Sequence, residues 1–390
     1  MSSFAPADAL KYVDQLAIAV GFGVTALTTW LLCRLSHRYS IGQDTVKGVQ
    51  KFHQGKTSRL GGLAIFFGLV LSCLAASPLG GGWVSPLGVE EPALSAEFQR
   101  YSFWMLLCAV PVWLAGLAED LTHRVGPTLR LVMATMSAAW LFGSLGASVS
   151  RTDVWPIDLL LSMPGAPLCV TLLVVAGFTH SVNIVDGFHG LACGLVVITL
   201  ASLACMAWTA GDALILKMCA ISIAATMGFF VLNWPRGAIF LGDAGAYLIG
   251  FWTVELGILL AMRNPEISPM APVVAGLLPL IETLFSMYRR KVVRNLPVNQ
   301  PDALHLHTLI YRRLLMNPSL RHKPKQLNYT NASVAIYFWL PAAFFAALSC
   351  LFLHSTHVQL GLMLAYLLMY NWLYKRLVRF NSPAWMRFRT

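Results

Sequence analysis

The sequence predicts an all-α, polytopic integral membrane protein with about eleven transmembrane helices, its N-terminus outside and its C-terminus cytoplasmic. Three observations lead there. Hydrophobic residues fill 57% of the 390 positions and charged residues only 12%, against roughly 25% charged in soluble domains. Apolar runs recur at the length of about 20 residues that crosses a bilayer. The Lys and Arg residues collect in alternate connecting segments rather than evenly along the chain.

The runs lie near 14–34, 61–77, 101–118, 129–147, 166–181, 189–209, 213–232, 239–261, 269–288, 334–353 and 358–374. An outside N-terminus makes 35–60, 119–128, 182–188, 233–238, 289–333 and the C-terminal tail cytoplasmic. Those stretches and their edges hold 23 of the 28 Lys and Arg; Lys11, Arg100, Arg151, Lys217 and Arg263 are the remainder. That split follows the positive-inside rule. Asp8, Lys11 and Asp14 precede the first run and Arg34, His37 and Arg38 follow it, the charge order of an uncleaved first helix rather than a signal peptide. Pro156, Pro164 and Pro167 break the stretch before the fifth run. The net charge of +11 is therefore a topology signal with some attraction to anionic lipid, and no motif for nucleic acid accompanies it. The eight Cys are scattered, mostly in apolar runs, without CxxC spacing, so they read as small buried hydrophobes. No internal repeat is evident, and residues 1–390 read as one transmembrane domain. Its polar loops lie near 35–60, 119–128, 182–188, 233–243 and 289–333.

Charged groups are costly at a helix centre, so the polar clusters at span ends carry information. All of them fall on the predicted cytoplasmic side. Lys56-Thr57-Ser58-Arg59-Leu60-Gly61-Gly62 combines cations, hydroxyls and a glycine pair that suit phosphate oxygens; a positive-inside anchor accounts for the same cations. Glu119-Asp120 ends the third run, with His123, Arg124 and Arg130 following. Neighbours on a helix do not share a face, so the two carboxylates have different tasks. Asn183, Asp186 and, if the helix continues, His189 recur at three-residue steps on one face, while Gly187 and Gly190 admit a close approach. Asp243, between small residues at the start of an apolar helix, needs a partner. A hard cation with oxygen ligands meets that need, as magnesium takes one or two carboxylates plus substrate phosphates. The long basic loop adds Arg289, Arg290, Lys291 and the pair His305 and His307, suited to a diphosphate or to holding the loop. Two His alone make a poor zinc site. Glu282, about two turns before Arg289, reads as an intrahelical relay or a structural salt link, the second preferred.

These segments, taken together, resemble the polyprenyl-phosphate N-acetylhexosamine-1-phosphate transferases of glycosyltransferase family 4, in particular their bacterial undecaprenyl-phosphate GlcNAc-1-phosphate branch. The resemblance spans roughly residues 50–315. It rests on SRLGGLAIF, Glu119-Asp120, NIVDGFHGLACG, FLGDAGAYLIGF and the loop ending DALHLHT, in that order. Where the family carries paired aspartates this chain has Glu119-Asp120, and Thr308 stands at the last His of a His-x-His-His motif.

The resemblance implies a magnesium-dependent enzyme, with manganese able to substitute. It would transfer a sugar-1-phosphate, GlcNAc-1-phosphate first, from a UDP-sugar to undecaprenyl phosphate and release UMP, initiating O-antigen or another cell-surface glycan. It places the chain in the bacterial inner membrane with its site facing the cytoplasm, in contact with UDP-N-acetylhexosamine, undecaprenyl phosphate and surrounding lipid; a homodimer is compatible with it. Asp243 with Asn183 would hold the metal, and Lys56, Arg59, Asn183 and Gly187 would bind substrate. Glu119, Asp120, Asp186, His305 and His307 would serve the chemistry. A UDP-linked 6-deoxy N-acetyl sugar is the alternative donor, and an aspartyl-phosphate intermediate the alternative route. A lipid or sugar transporter is the reading from another class, against which the one-sided clustering stands, since transporters place their sites near the midplane.

Overall fold

The computed structural model describes residues 14–39, 42–44, 57–76, 92–297, 302, 304–316 and 324–381. Fourteen α-helices run through them: α1 (Gln15–Tyr39), α2 (Gly61–Ala75), α3 (Pro92–Thr122), α4 (Pro127–Leu145), α5 (Trp155–Leu161), α6 (Ala166–Val185) and α7 (Leu191–Ala210) come first. Then follow α8 (Ala213–Asn233), α9 (Gly242–Arg263), α10 (Met270–Ala275), α11 (Leu277–Tyr288), α12 (Leu306–Ile310), α13 (Pro324–Leu351) and α14 (Thr356–Val378). Among the described residues the strands are two-residue pieces, β1 (Gln43–Asp44) and β2 (Thr57–Ser58), paired antiparallel with Gln43 opposite Ser58. The protein is an all-α polytopic membrane protein.

Among the described residues, eight helices are long and apolar enough to cross a membrane: α1, α3, α4, α6, α7, α8, α9 and α13. The other three expected spans differ for identifiable reasons. Helix α2 is apolar but only 15 residues long. The 269–288 run is divided at Gly276 into α10 and α11, because Pro279 has no N–H to give the carbonyl four residues back. Helix α14 has 23 residues, but Gln359, Asn371 and Lys375 interrupt its apolar character. Pro156 and Pro167 stand second in α5 and α6, within the first turn where N–H groups have no intrahelical partner and a missing one costs nothing. They start helices rather than only breaking one.

Helix α9 is the centre of the bundle. It is buried along nearly all its length and packs against α2, α3, α6 and α7, whereas α1 and α4 show Leu27, Trp30, Leu131 and Trp140 to the outside. Small residues set how close the neighbours come. A Cβ on Gly116 of α3 would lie 2.6 Å from the Cα of Ala244, and one on Gly62 of α2 would overlap the backbone of Gly245. Both contacts grip the first turn of α9.

Candidate active site

The start of α9 is held by three backbone links to β2 and the first turn of α2. Phe240 N–H donates to the Ser58 carbonyl at 2.8 Å, and Gly61 and Gly62 N–H donate to the carbonyls of Phe240 and Leu241 at 3.1 and 2.9 Å. These last two bonds satisfy N–H groups that the first turn of α2 would otherwise leave orphaned. Gly242 makes the junction possible. Its φ is +73°, and a side chain there would collide with the Arg59 carbonyl and the Asp120 carboxylate.

Asp120 caps the helix that carries Asp243. Its Oδ1 accepts from Asp243 N–H and its Oδ2 from Ala244 N–H, both at 2.9 Å, while Arg59 Nε lies 3.2 Å from Oδ1. A carboxylate at a helix N-terminus meets both unpaired N–H groups and the positive end of the dipole. Asp120 has no exposed surface.

Asp243 stands one residue into α9 and collects donors from three other elements. Arg59 Nη2 reaches its Oδ1 at 2.9 Å, Asn183 Nδ2 donates to the same oxygen at 3.1 Å, and Arg130 from α4 pairs with Oδ2. Arg130 lies 5.8 Å over the Tyr247 ring, one turn along α9 from Asp243. His180, one turn before Asn183 on α6, sits 5.0 Å from that ring and back-bonds to the Ala176 carbonyl through Nδ1.

The segment 183–190 does not stay helical throughout. Helix α6 ends at Val185, and residues 186–190 form a turn pinned by two amides, Asn331 accepting from His189 N–H at 2.9 Å and Asn233 from Gly190 N–H at 2.6 Å. His189 therefore leaves the face shared by Asn183 and Asp186 and stacks near Phe240. Asp186 makes no side-chain hydrogen bond or ion pair among the described residues. Burial pushes its carboxyl up to about 7, with Arg59 pulling the other way.

The basic loop folds onto the same end. Asp302 accepts from Ser286 Oγ at 2.8 Å and from Leu304 N–H at 3.0 Å, and pairs with Arg289. Burial pushes its carboxyl up, but Ser286 and Arg289 outweigh it and hold the group below its ordinary range. Glu282 does not reach Arg289; it meets the histidines instead. His305 Nδ1 lies 3.1 Å and His307 Nδ1 3.4 Å from Glu282 Oε1. The reason is the π-helical winding of Arg289–Val293, which turns Arg289 towards Asp302 and Tyr374.

One cavity of about 630 Å³ gathers these groups. Arg59, Asn183, Asp186, Gly187, Asp243, His305 and His307 all line it, as does Thr308. Asp120 lies behind its wall. Glu119, half-buried, turns back to accept from Val125 N–H at 2.8 Å. Lys56 falls outside the described residues. Arg130, His180, Tyr247 and Arg290 also line the cavity; the sequence marked Arg130 and Arg290 only as cations of their polar segments, and His180 and Tyr247 not at all. Helical spacing could have found the last two, since His180 precedes Asn183 by three and Tyr247 follows Asp243 by four. Nothing local distinguishes Arg130 from an ordinary helix-start cation.

A hard-oxygen ion fits this donor set. Asp243 is a carboxylate drawing three donors, and the Asn183 amide donates its NH₂ to it, leaving the amide carbonyl for another partner. Asp186 adds an unpaired carboxylate on the same cavity wall.

The family model for glycosyl transferase family 4 matches residues 102–261, which carry Glu119, Asp120, Asn183, Asp186 and Asp243. The chain is 27% identical to a probable undecaprenyl-phosphate N-acetylglucosaminyl 1-phosphate transferase of Bacillus subtilis (strain 168), over 91% of this chain and 90% of that one. It is 29% identical to a decaprenyl-phosphate N-acetylglucosaminephosphotransferase of Mycolicibacterium smegmatis, over 77% and 73% of the two. It is 25% identical to an undecaprenyl-phosphate alpha-N-acetylglucosaminyl 1-phosphate transferase of Escherichia coli (strain K12), over 83% and 80%. The matched residues converge at the head of α9, and over residues 102–261 this chain is similar to glycosyl transferase family 4.

Proposed function

We propose that the protein transfers an N-acetylhexosamine-1-phosphate, GlcNAc-1-phosphate first, from a UDP-sugar to undecaprenyl phosphate and releases UMP. The site would face the cytoplasm from a bacterial inner membrane, and the product would begin a cell-surface glycan. The observation that carries this reading is the meeting of Asp243, Asn183, Arg59 and Arg130 at one end of the bundle, in a cavity also lined by His305 and His307. Such a site suits two anionic substrates, one of them delivered from the membrane.

Both reactants carry phosphate, so the main barrier is bringing negative charge together. In phosphoryl transfer, positioning and charge neutralisation do most of the work. Arg59 and Arg130 bring two fixed positive charges, and His305 and His307 bring imidazole edges for the diphosphate. Asp243 and Asn183 would hold magnesium, which supplies Lewis-acid neutralisation of the diphosphate oxygens when bound. An oxygen of the lipid phosphate attacks the sugar-bearing phosphorus, the phosphoanhydride bond breaks, and UMP leaves with the bonding pair. The second pKa of a phosphate monoester is about 6, so the nucleophile is largely dianionic at neutral pH and needs no strong base. Direct attack is favoured over an enzyme-linked phosphate because both Asp120 oxygens are occupied by backbone N–H groups. Asp186, unpaired on the cavity wall, would contact the nucleotide or support Asn183.

The test is transfer of label from UDP-GlcNAc, and from UDP-linked 6-deoxy N-acetyl sugars, into organic-extractable lipid by purified protein supplied with undecaprenyl phosphate. Magnesium-dependent lipid labelling with equimolar UMP is the expected result. UMP released without the lipid acceptor would point to the covalent route, and no labelling with any donor would end the proposal.

A further inference from the structure

Glu282 has no part in the reading above, yet it is among the most completely engaged carboxylates in the structure. It lies in α11 with no exposed surface. Oε1 accepts from Leu306 N–H at 2.7 Å and faces His305 Nδ1 at 3.1 Å and His307 Nδ1 at 3.4 Å. Oε2 accepts from the Tyr370 hydroxyl at 2.6 Å. The two imidazoles stack with centroids 5.1 Å apart and planes within 4° of parallel.

An ionised carboxylate only accepts. The His305 nitrogen that bonds to it is therefore the protonated one; His307, stacked on His305, turns its Nδ1 to the same oxygen at 3.4 Å, outside hydrogen-bond geometry. That leaves the Nε2 edges for the cavity that both rings line. His307 Nε2 lies beside Gly187, where a Cβ would come within 3.4 Å of it. A carboxylate behind an imidazole also stabilises the imidazolium that forms when an anion arrives at the far nitrogen, as in hydrolase triads. The other charged and titratable groups around the pair are Asp302, itself bound to Arg289, and the hydroxyls of Tyr370 and Tyr374.

We infer that Glu282 is a positioning residue that clamps His305 and His307 with Nδ1 inward, so that both Nε2 edges serve the diphosphate of the nucleotide-sugar. The orientation stands on the geometry alone; the identity of the ligand rests on the proposed function. The same three side chains bring their ligand atoms within 4.8 Å of one another, and a His-His-Glu set is one that zinc accepts. The clamp is preferred because the Glu282 oxygens are already matched by Leu306, Tyr370 and His305.

The experiment uses the full chain labelled with ¹⁵N-histidine, with the two signals assigned through His305→Gln and His307→Gln. The expected spectrum has protonated Nδ1 on both rings, and Glu282→Gln returns His305 to the Nε2–H form. With UDP-GlcNAc as donor, Glu282→Gln should lower kcat/KM about tenfold to a hundredfold, the range for losing an outer-shell orienting group, with the KM for undecaprenyl phosphate unchanged. Combining it with the two His substitutions should add no further loss, and Glu282→Asp should recover part of the rate. Nε2–H signals in the wild type overturn the clamp even if every Glu282 variant fails to fold, and strictly additive losses overturn it as well. One zinc per chain, lost with His305→Gln, would replace the clamp with a metal site. A wild type that transfers no sugar but keeps the Nδ1–H signals would remove the proposed function and leave the clamp standing.

Discussion

At the scale of single residues, Asp243 and Asp120 do different work although they touch the same turn of backbone. Asp243 presents its carboxylate to the cavity, whereas Asp120 spends both oxygens on the N–H groups that place Asp243. Asp243→Asn is expected to abolish divalent-dependent transfer while the protein still inserts and melts normally; near-normal turnover would rule out its proposed role as a ligand. Asp120→Asn puts an amide NH₂ against a backbone N–H and leaves a buried donor unmet, which costs about 1–3 kcal/mol. Thermal stability and rate should therefore fall together. A lost rate with unchanged melting would instead assign Asp120 a direct part in the chemistry. Asp186 has the opposite problem, a carboxyl whose folded value of about 7 exceeds the ordinary value of 3.8. Protonation favours the folded state, so the advantage present in acid is lost as pH rises through about 7. Asp186→Asn should raise the melting temperature at pH 8 more than at pH 5, read by a thermal scan without ligand.

At the scale of elements, the site depends on how close α2 and α3 come to the head of α9. The backbones meet there because positions 62 and 116 carry no side chain. Gly116→Ala should push α3 away from Ala244, lower the melting temperature and reduce transfer, whereas Gly143→Ala on α4, where a Cβ meets nothing within 4 Å, should leave both intact. Equal effects from the two substitutions would refute the close-approach argument. The segment 183–190 was legible as a polar interruption, because two polar residues three apart break an apolar run, and the structure puts both on the cavity wall. Its end as a helix at Val185 was not legible, since Asn233 and Asn331, the residues that pin the turn, are distant in sequence. Glu282 shows the same limit. Spacing along one helix paired it with Arg289, but the π-helical turn and the returning loop gave it His305 and His307 instead.

At the scale of the whole molecule, the alternation of charged and neutral connections predicts that the α9 head and the α9 tail lie on opposite sides of a membrane. The tail has its own charged cluster, Arg263 with Asp212 and Glu97, far from the cavity groups. In a cysteine-free background, an impermeant thiol reagent should label a cysteine at His123 from the cytoplasmic side and one at Glu266 from the other. Labelling of both from one side would break the topology on which the cytoplasmic site rests. The sequence by itself determined the class of molecule, most of the helices and the segments that carry polar chemistry. Insertion into lipid is governed by local apolar length and charge, and both are written in consecutive residues. Only the tertiary structure decided which polar groups meet. Arg130 on Asp243, Asp120 beneath the α9 N-terminus and Glu282 behind the histidines are all long-range pairings. They are set by helix packing and loop return, and no spacing along the chain encodes them.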